Sequence, residues 1–304
     1  MTGDGLVVTT DPDEARLDLW DPVGRLHRTI PTHAVEAHGL ALSKFDSSPT
    51  LWIADPGFKV VVRGTEATVD RVGNGRVFAI DFETGEVVIE LEQPTHPLYS
   101  TMLYRPTSVA PESPNQKSYI WVADGYGASL VHRYDPAGRY VESLDGAAGE
   151  GRFDCPHSVQ VCRRGDQDKL YITDRGNHRM QVFSLDGTFD HSFGHGHLAS
   201  PTGCTDLGGL LVVADLEARL VVFDKADSFQ CTVGADEKAT KRPGWPNKIN
   251  EHGVLGRPDD LVDGKLNSPH AIGASGSSSV YVVEYIIGGR LTRFRATNKP
   301  LEGS

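Results

Sequence analysis

The chain has 304 residues, 38% of them hydrophobic, with 33 glycines and a formal net charge of −11. No Lys/Arg cluster is dense enough to track phosphates, so nucleic acid is not an expected partner. No run approaches the ~20 apolar residues that span a bilayer, so no membrane partner is expected either. The opening Met1-Thr-Gly-Asp-Gly has neither a basic nor an apolar leader region. That predicts a cytoplasmic location, or a secreted one if the N-terminus is processed. Cys155, Cys162, Cys204 and Cys231 show no CxxC spacing, and read as free buried thiols or as one disulfide with two thiols left over.

In chain order, the first strand-like segments are Leu6-Val-Val-Thr-Thr and Ala15-Arg-Leu-Asp-Leu-Trp-Asp. Five copies of a longer pattern follow. Each opens on a short apolar strand led by His or Thr: His38-Gly-Leu-Ala-Leu, Thr107-Ser-Val-Ala, His157-Ser-Val-Gln-Val, Thr202-Gly-Cys and His270-Ala-Ile-Gly. Each runs into a second strand ending in an acid: Leu51-Trp-Ile-Ala-Asp, Tyr119-Ile-Trp-Val-Ala-Asp, Leu170-Tyr-Ile-Thr-Asp, Leu210-Leu-Val-Val-Ala-Asp and Val280-Tyr-Val-Val-Glu. Third strands open near Gly75, Ser129, Arg179, Arg219 and Arg290. Most then meet an Asp-Gly or Asp-x-x-Gly turn into a ragged fourth strand such as Tyr140-Val-Glu-Ser-Leu. β-branched and aromatic strands between turn residues suit sheets buried on both faces.

Six second strands and six third strands predict an all-β, six-bladed β-propeller forming a single domain over 1–304. The blades should start near Gly5, Glu36, Arg105, Asp154, Ser200 and Asn267. The N-terminal blade shows no innermost strand, and only the tail from Ala296 to Ser304 remains to supply the last blade's fourth. The segment from Leu170 to Gly187, Leu-Tyr-Ile-Thr-Asp-Arg-Gly-Asn-His-Arg-Met-Gln-Val-Phe-Ser-Leu-Asp-Gly, resembles the NHL repeat of six-bladed propellers.

In such a ring, starts of first strands and ends of second strands share one face, together with the long insertions Pro56 to Asn74, Gln93 to Tyr104 and Gly234 to Asn267. His38, His157 and His270 come from alternate blades and converge there. Three neutral imidazoles suit a zinc-like divalent ion with an open fourth position; the plainer alternative is that each caps the channel by hydrogen bonding, as Thr107 and Thr202 would. Tyr126, just past a second strand in Asp124-Gly-Tyr, is either a surface turn aromatic or a base whose phenol pKa is lowered beside the ion. Arg175, in Asp174-Arg-Gly-Asn, is either a structural partner or a bidentate anchor for a carboxylate. His178, His195, His197 and His252 read as solvated loop residues.

Ala37-His38-Gly, Pro156-His157-Ser and Pro269-His270-Ala, with Tyr126 and Arg175 between them, resemble peptidyl-α-hydroxyglycine α-amidating lyase. The resemblance implies a six-bladed propeller with zinc held by three histidines, matching His38, His157 and His270. It implies a catalytic tyrosine matching Tyr126 and an active-site arginine matching Arg175. It further implies cleavage of a carbinolamide N–C bond in a peptide or small-molecule substrate, releasing an amide and glyoxylate. Ser268 stands where that family has Met. Ala271 replaces its Asp ligand of a structural calcium, which leaves calcium doubtful. A second family arginine lies upstream of the first His blade, in a region this chain lacks or has rebuilt, which opens the site to another small α-hydroxy compound. The competing reading is a non-catalytic propeller that binds a protein or peptide on the same face. A calcium-dependent lactonase-like hydrolase ranks below both, because such sites use oxygen ligands.

Overall fold

The computed structural model describes residues 5–11, 14–45, 48–63, 66–69, 73–115 and 117–296. It is built almost wholly of strands, with six antiparallel sheets in a ring and two short two-stranded hairpins, Val60–Arg63 with Glu66–Val69 and Lys248–Ile249 with Leu255–Gly256, in the insertions. The predicted tail beyond Ala296 lies outside the described residues.

Four blades have four strands each. They are Gly39–Phe45, Ser48–Asp55, Arg76–Asp81 and Val87–Glu90 in the second; Ser108–Pro111, Ile120–Asp124, Leu130–Tyr134 and Tyr140–Leu144 in the third; Pro156–Cys162, Lys169–Asp174, Arg179–Ser184 and Phe189–Phe193 in the fourth; and Pro201–Leu207, Leu210–Asp215, Arg219–Phe223 and Phe229–Val233 in the fifth. The first blade, Val7–Asp11, Arg16–Trp20 and Leu26–Pro31, has three strands, as does the sixth, Pro269–Ser275, Ser279–Glu284 and Arg290–Arg295. The six-blade expectation therefore holds. So does its gap: the first blade pairs Asp11 with Arg16 as other blades pair the end of a second strand with the start of a third, so its innermost strand is the one missing.

Packing from the first blade through to the sixth along the chain is apolar, because the second strands of blades two to six bury both faces. Leu17, Leu19 and Ile30 of the first blade pack on Leu51, Ile53, Phe78 and Ile80 of the second. The same logic joins Trp52 and Val77 to Val122 and Tyr134, Trp121 and Val131 to Leu170 and Phe183, Met180 and Val182 to Val213 and Phe223, and Val212 and Leu220 to Val280 and Val282. A fully buried side chain of this size contributes roughly 1.5–3 kcal/mol. Among the described residues no such cluster joins the sixth blade to the first. That seam carries a polar contact, with Arg293 donating to the Pro22 carbonyl at 3.3 Å.

One carboxylate ends each second strand and organises the loops on its face. Asp55 accepts the backbone N–H groups of Val35, Glu36 and Gly57. Asp215 accepts those of Ala199 and Ser200, and Glu284 those of Asn267 and Ser268. Because these bonds fix the peptide leading into each innermost strand, they also fix the residues that lead it.

Candidate metal centre

His157, Thr202 and His270 each sit at a bulge. The ladder pairs Pro156 with Asp174 and then Ser158 with Thr173, leaving His157 unopposed; it skips Thr202 and His270 in the same way. A bulge re-aims the extra side chain, here toward the axis. His38 stands just before its strand, with its N–H on the Ala54 carbonyl at 2.9 Å.

The structure brings the three histidines together. Their ring centroids lie 4.8–5.1 Å apart, and one potential ligand nitrogen from each falls within 4.8 Å of the others. The Nδ1–H of His38 donates to the Thr107 carbonyl at 2.8 Å, and that of His157 to the Thr202 carbonyl at 2.7 Å. These bonds fix the tautomer and turn the Nε2 lone pairs of His38 and His157 toward the axis, the arrangement usual behind a ligating histidine. The threonines continue the circle: Thr107 Oγ1 reaches the Pro156 carbonyl at 3.4 Å and Thr202 Oγ1 the Pro269 carbonyl at 3.1 Å. Threonine leaders thus cap the channel, whereas His38 and His157 cap it with Nδ1 and present Nε2.

All three imidazoles are neutral at ordinary pH. Burial lowers His38 to about 4. Burial, together with the other imidazoles, holds His157 well below its usual value, and burial followed by His38 and Arg175 does the same for His270. Among the described residues no carboxylate pairs with any of the three.

Tyr126 closes the cluster. Its hydroxyl lies 3.0 Å from His157 Nε2 and 3.3 Å from His38 Nε2, so it is not a surface turn aromatic. The phenol differs from the sequence expectation in one respect: burial pushes its pKa above the ordinary value, and Arg175 is the neighbour that pulls it down. Arg175 lies in the turn Arg175–Asn177 after the second strand of the fourth blade, and its Nε donates to Ser200 Oγ at 3.0 Å. Its charge acts on all three histidines and on Tyr126, which puts it at the same mouth.

Several lining residues escaped the sequence reading. The Phe58 ring lies 5.9 Å from Tyr126, with the Arg105 guanidinium stacked on it at 4.6 Å. Tyr285 stands 5.6 Å from His270. Glu36, two residues before His38, is raised to about 7 by burial and by Asp55. Each follows a second-strand end or precedes a first strand, the zone where Tyr126 and Arg175 were found, so the same positional rule finds them.

Four other histidines were expected to be solvated. His178 and His252 are exposed; His195 bonds Glu150 at 2.9 Å, and His197 stacks on Phe229 at 4.1 Å. All four cysteines are free. No helix among the described residues is long and apolar enough to cross a membrane.

Residues 153–183 match the family model of the NHL repeat. A probable peptidyl-alpha-hydroxyglycine alpha-amidating lyase of Caenorhabditis elegans is 26% identical over 193 residues, 60% of this chain and 47% of the relative. The match therefore spans about half of that relative's length. A streptogramin B lyase structure aligns over 98% of this chain and 82% of its own, with a TM-score of 0.56 and 13% identity. Catalytically inactive virginiamycin B lyase from Staphylococcus aureus with quinupristin aligns over 96% and 78%, with a TM-score of 0.54 and 12% identity. At those identities the likeness to the two solved lyases is one of fold. The resemblance to NHL propellers and to the amidating lyase agrees with these findings.

Proposed function

We propose that this chain is a metal-dependent lyase that breaks the C–N bond of a small carbinolamide, with an α-hydroxyglycine amide as the model substrate. The observation that carries the reading is the convergence of three neutral imidazoles and one phenol on the axis, with one nitrogen of each imidazole within 4.8 Å of the others. His38, His157 and His270 fit a zinc-like divalent ion on donor chemistry: three nitrogen ligands, two with backbone acceptors behind them, and no competing carboxylate. When bound, such an ion supplies Lewis acidity toward a substrate oxygen and a positive charge beside the phenol.

The remaining steps belong to the protein. Arg175, anchored through Nε on Ser200, presents its other nitrogens to the substrate carboxylate. Tyr126, ionised against its burial by Arg175 and the charge of a bound ion, takes the proton of the carbinol hydroxyl and hands it to the departing nitrogen. The C–N electron pair then leaves with nitrogen, which acquires a proton, while the carbinol carbon becomes the aldehyde of glyoxylate. Nothing is oxidised or reduced and no water is consumed. Phe58 and Tyr285 wall the mouth, and desolvation there strengthens every polar contact.

The test is glyoxylate release from α-hydroxyglycine amides by protein of measured metal content. Turnover proportional to occupancy supports the reading. Full occupancy with no turnover discards this substrate, and turnover by metal-free protein discards the metal.

A further inference from the structure

An acid–arginine pair recurs at the same ladder position in five blades. The last residue of the second strand faces the first residue of the third: Asp11 and Arg16, Asp55 and Arg76, Asp174 and Arg179, Asp215 and Arg219, Glu284 and Arg290. Each is an ion pair, at 2.9 Å for Asp11, 3.9 Å for Asp55, 2.8 Å for Asp174 and 3.0 Å for Asp215, with Glu284 and Arg290 also in contact. The third blade breaks the rule. Asp124 faces Leu130, and it is the carboxylate two residues before Tyr126.

What replaces the arginine is a chain of neutral groups. Tyr99, on the one-turn helix Pro97–Ser100, donates its hydroxyl to Asp124 Oδ2 at 2.6 Å. His132 Nε2 donates to the Tyr99 oxygen at 2.7 Å, and its Nδ1 accepts from Ser143 Oγ at 2.8 Å. Tyr140 completes the chain on Ser143 at 2.7 Å. Both His132 and Asp124 are fully buried.

The same carboxylate holds the turn that carries Tyr126. Asp124 Oδ2 accepts the Ala128 N–H and Oδ1 the Arg105 N–H, each at 2.6 Å. The Asp124 carbonyl accepts Gly127 and Ser129 N–H at 3.3 and 3.2 Å. The turn wraps the carboxylate so tightly that a Cβ on Gly127 would lie 2.3 Å from Oδ1. Asp124 Oδ2 is therefore shared between Tyr99 and the Tyr126 turn.

We propose that Tyr99 and His132 are positioning residues for Tyr126, acting through Asp124 in place of the arginine found in the other blades. A guanidinium would hold the carboxylate by charge from the third-strand side. The neutral chain orients one carboxylate oxygen by directed hydrogen bonds and adds no further cation to the mouth beside Arg175 and Arg105. The proposal rests on the reading of Tyr126 as the residue that meets the substrate, and its test separates the two.

Tyr99→Phe keeps the ring against Tyr104 and removes only the hydroxyl. Assayed as holoprotein on α-hydroxyglycine amide, it should lose about ten- to a hundredfold in kcat with KM changed by less than about twofold, the signature of a misplaced reacting group. Adding Leu130→Arg installs the pair used by the other blades. That double variant should regain thermal stability without regaining turnover. Hydrogen exchange gives a readout that needs neither substrate nor metal. Amides 125–129 should exchange about tenfold faster or more in Tyr99→Phe, while the equivalent turn at 175–178, whose amides donate to the Cys155, Asp154 and Arg175 carbonyls, keeps wild-type rates. Unchanged exchange at 125–129, or full turnover in the double variant, overturns the proposal. If wild-type protein shows no turnover, the lyase reading fails and the exchange result still decides the role of Tyr99.

Discussion

Two clusters in this propeller use the same residue types to opposite ends. On the axis, His38, His157, His270 and Tyr126 meet with no carboxylate among them in the described residues. On the opposite face, between the fourth and fifth blades, His191 and Tyr171 meet Asp227 beside a cleft of about 450 Å³. There Asp227 accepts from Tyr171 at 2.9 Å and His191 at 3.0 Å and pairs with Arg164, while Asp190 takes the other His191 nitrogen and Lys169, each at 2.7 Å. The electrostatic outcomes diverge. Burial drives the axial histidines down, but hydrogen bonding to Asp227 holds His191 above its usual value. Burial alone would raise Asp227, yet His191 and Arg164 outweigh it and hold the carboxyl low. A cluster that satisfies its own charges is a fastening between blades. The axial cluster instead buries three unprotonated bases with no carboxylate paired to them among the described residues, which is why the proposed site is placed there and not at Asp227.

The comparison can be broken first at Tyr126. Tyr126→Phe removes the proton acceptor and keeps the ring packed on Phe58; kcat should fall by roughly 10²–10⁴ with the unfolding midpoint nearly unchanged, measured by glyoxylate release and calorimetry. Arg175→Ala should raise KM about ten- to a hundredfold, and lower kcat as well if the carboxylate contact tightens in the transition state. Equal KM in wild type and variant would return Arg175 to a structural role.

On the fastening side, Asp227→Ala leaves the buried Arg164 guanidinium, 2% exposed, with Asp206 at 3.4 Å as its remaining carboxylate and strips Tyr171 and His191 of their acceptor. Denaturant unfolding should show a loss of about 3–5 kcal/mol, with turnover retained. The smallest effect is in pH. A histidine raised on folding stabilises fully below its unfolded value of ~6.5, and the contribution is lost as pH rises through the folded value. Unfolding midpoints should therefore drop modestly from pH 6 to pH 9, and His191→Gln should flatten that slope. His191 is partly exposed, so solvent screening keeps the effect small.

The ring was legible because second strands such as Tyr119-Ile-Trp-Val-Ala-Asp leave no doubt about burial on both faces. The triad was legible because one leader position alternates His and Thr. What stayed hidden depends on backbone detail. A proline precedes each bulged leader, at Pro156, Pro201 and Pro269, but the bulge itself shows only in the register, and Tyr126 reads as a turn residue until its hydroxyl is seen between two imidazoles. The raised phenol was missed because burial is a tertiary quantity. Leu130, by contrast, was visible: it stands where Arg16, Arg76, Arg179, Arg219 and Arg290 lead their strands, and only the ladder register shows that the position matters.

The central claim is that the axial histidines exist to hold a metal ion. Its most direct test is elemental analysis of tag-free wild-type protein beside His157→Ala. The account predicts about one divalent ion per wild-type chain and almost none in the variant, since two imidazoles with Tyr126 are a poor site. Equal metal content in the two proteins, or a wild-type protein that stays metal-free when offered zinc, would contradict it.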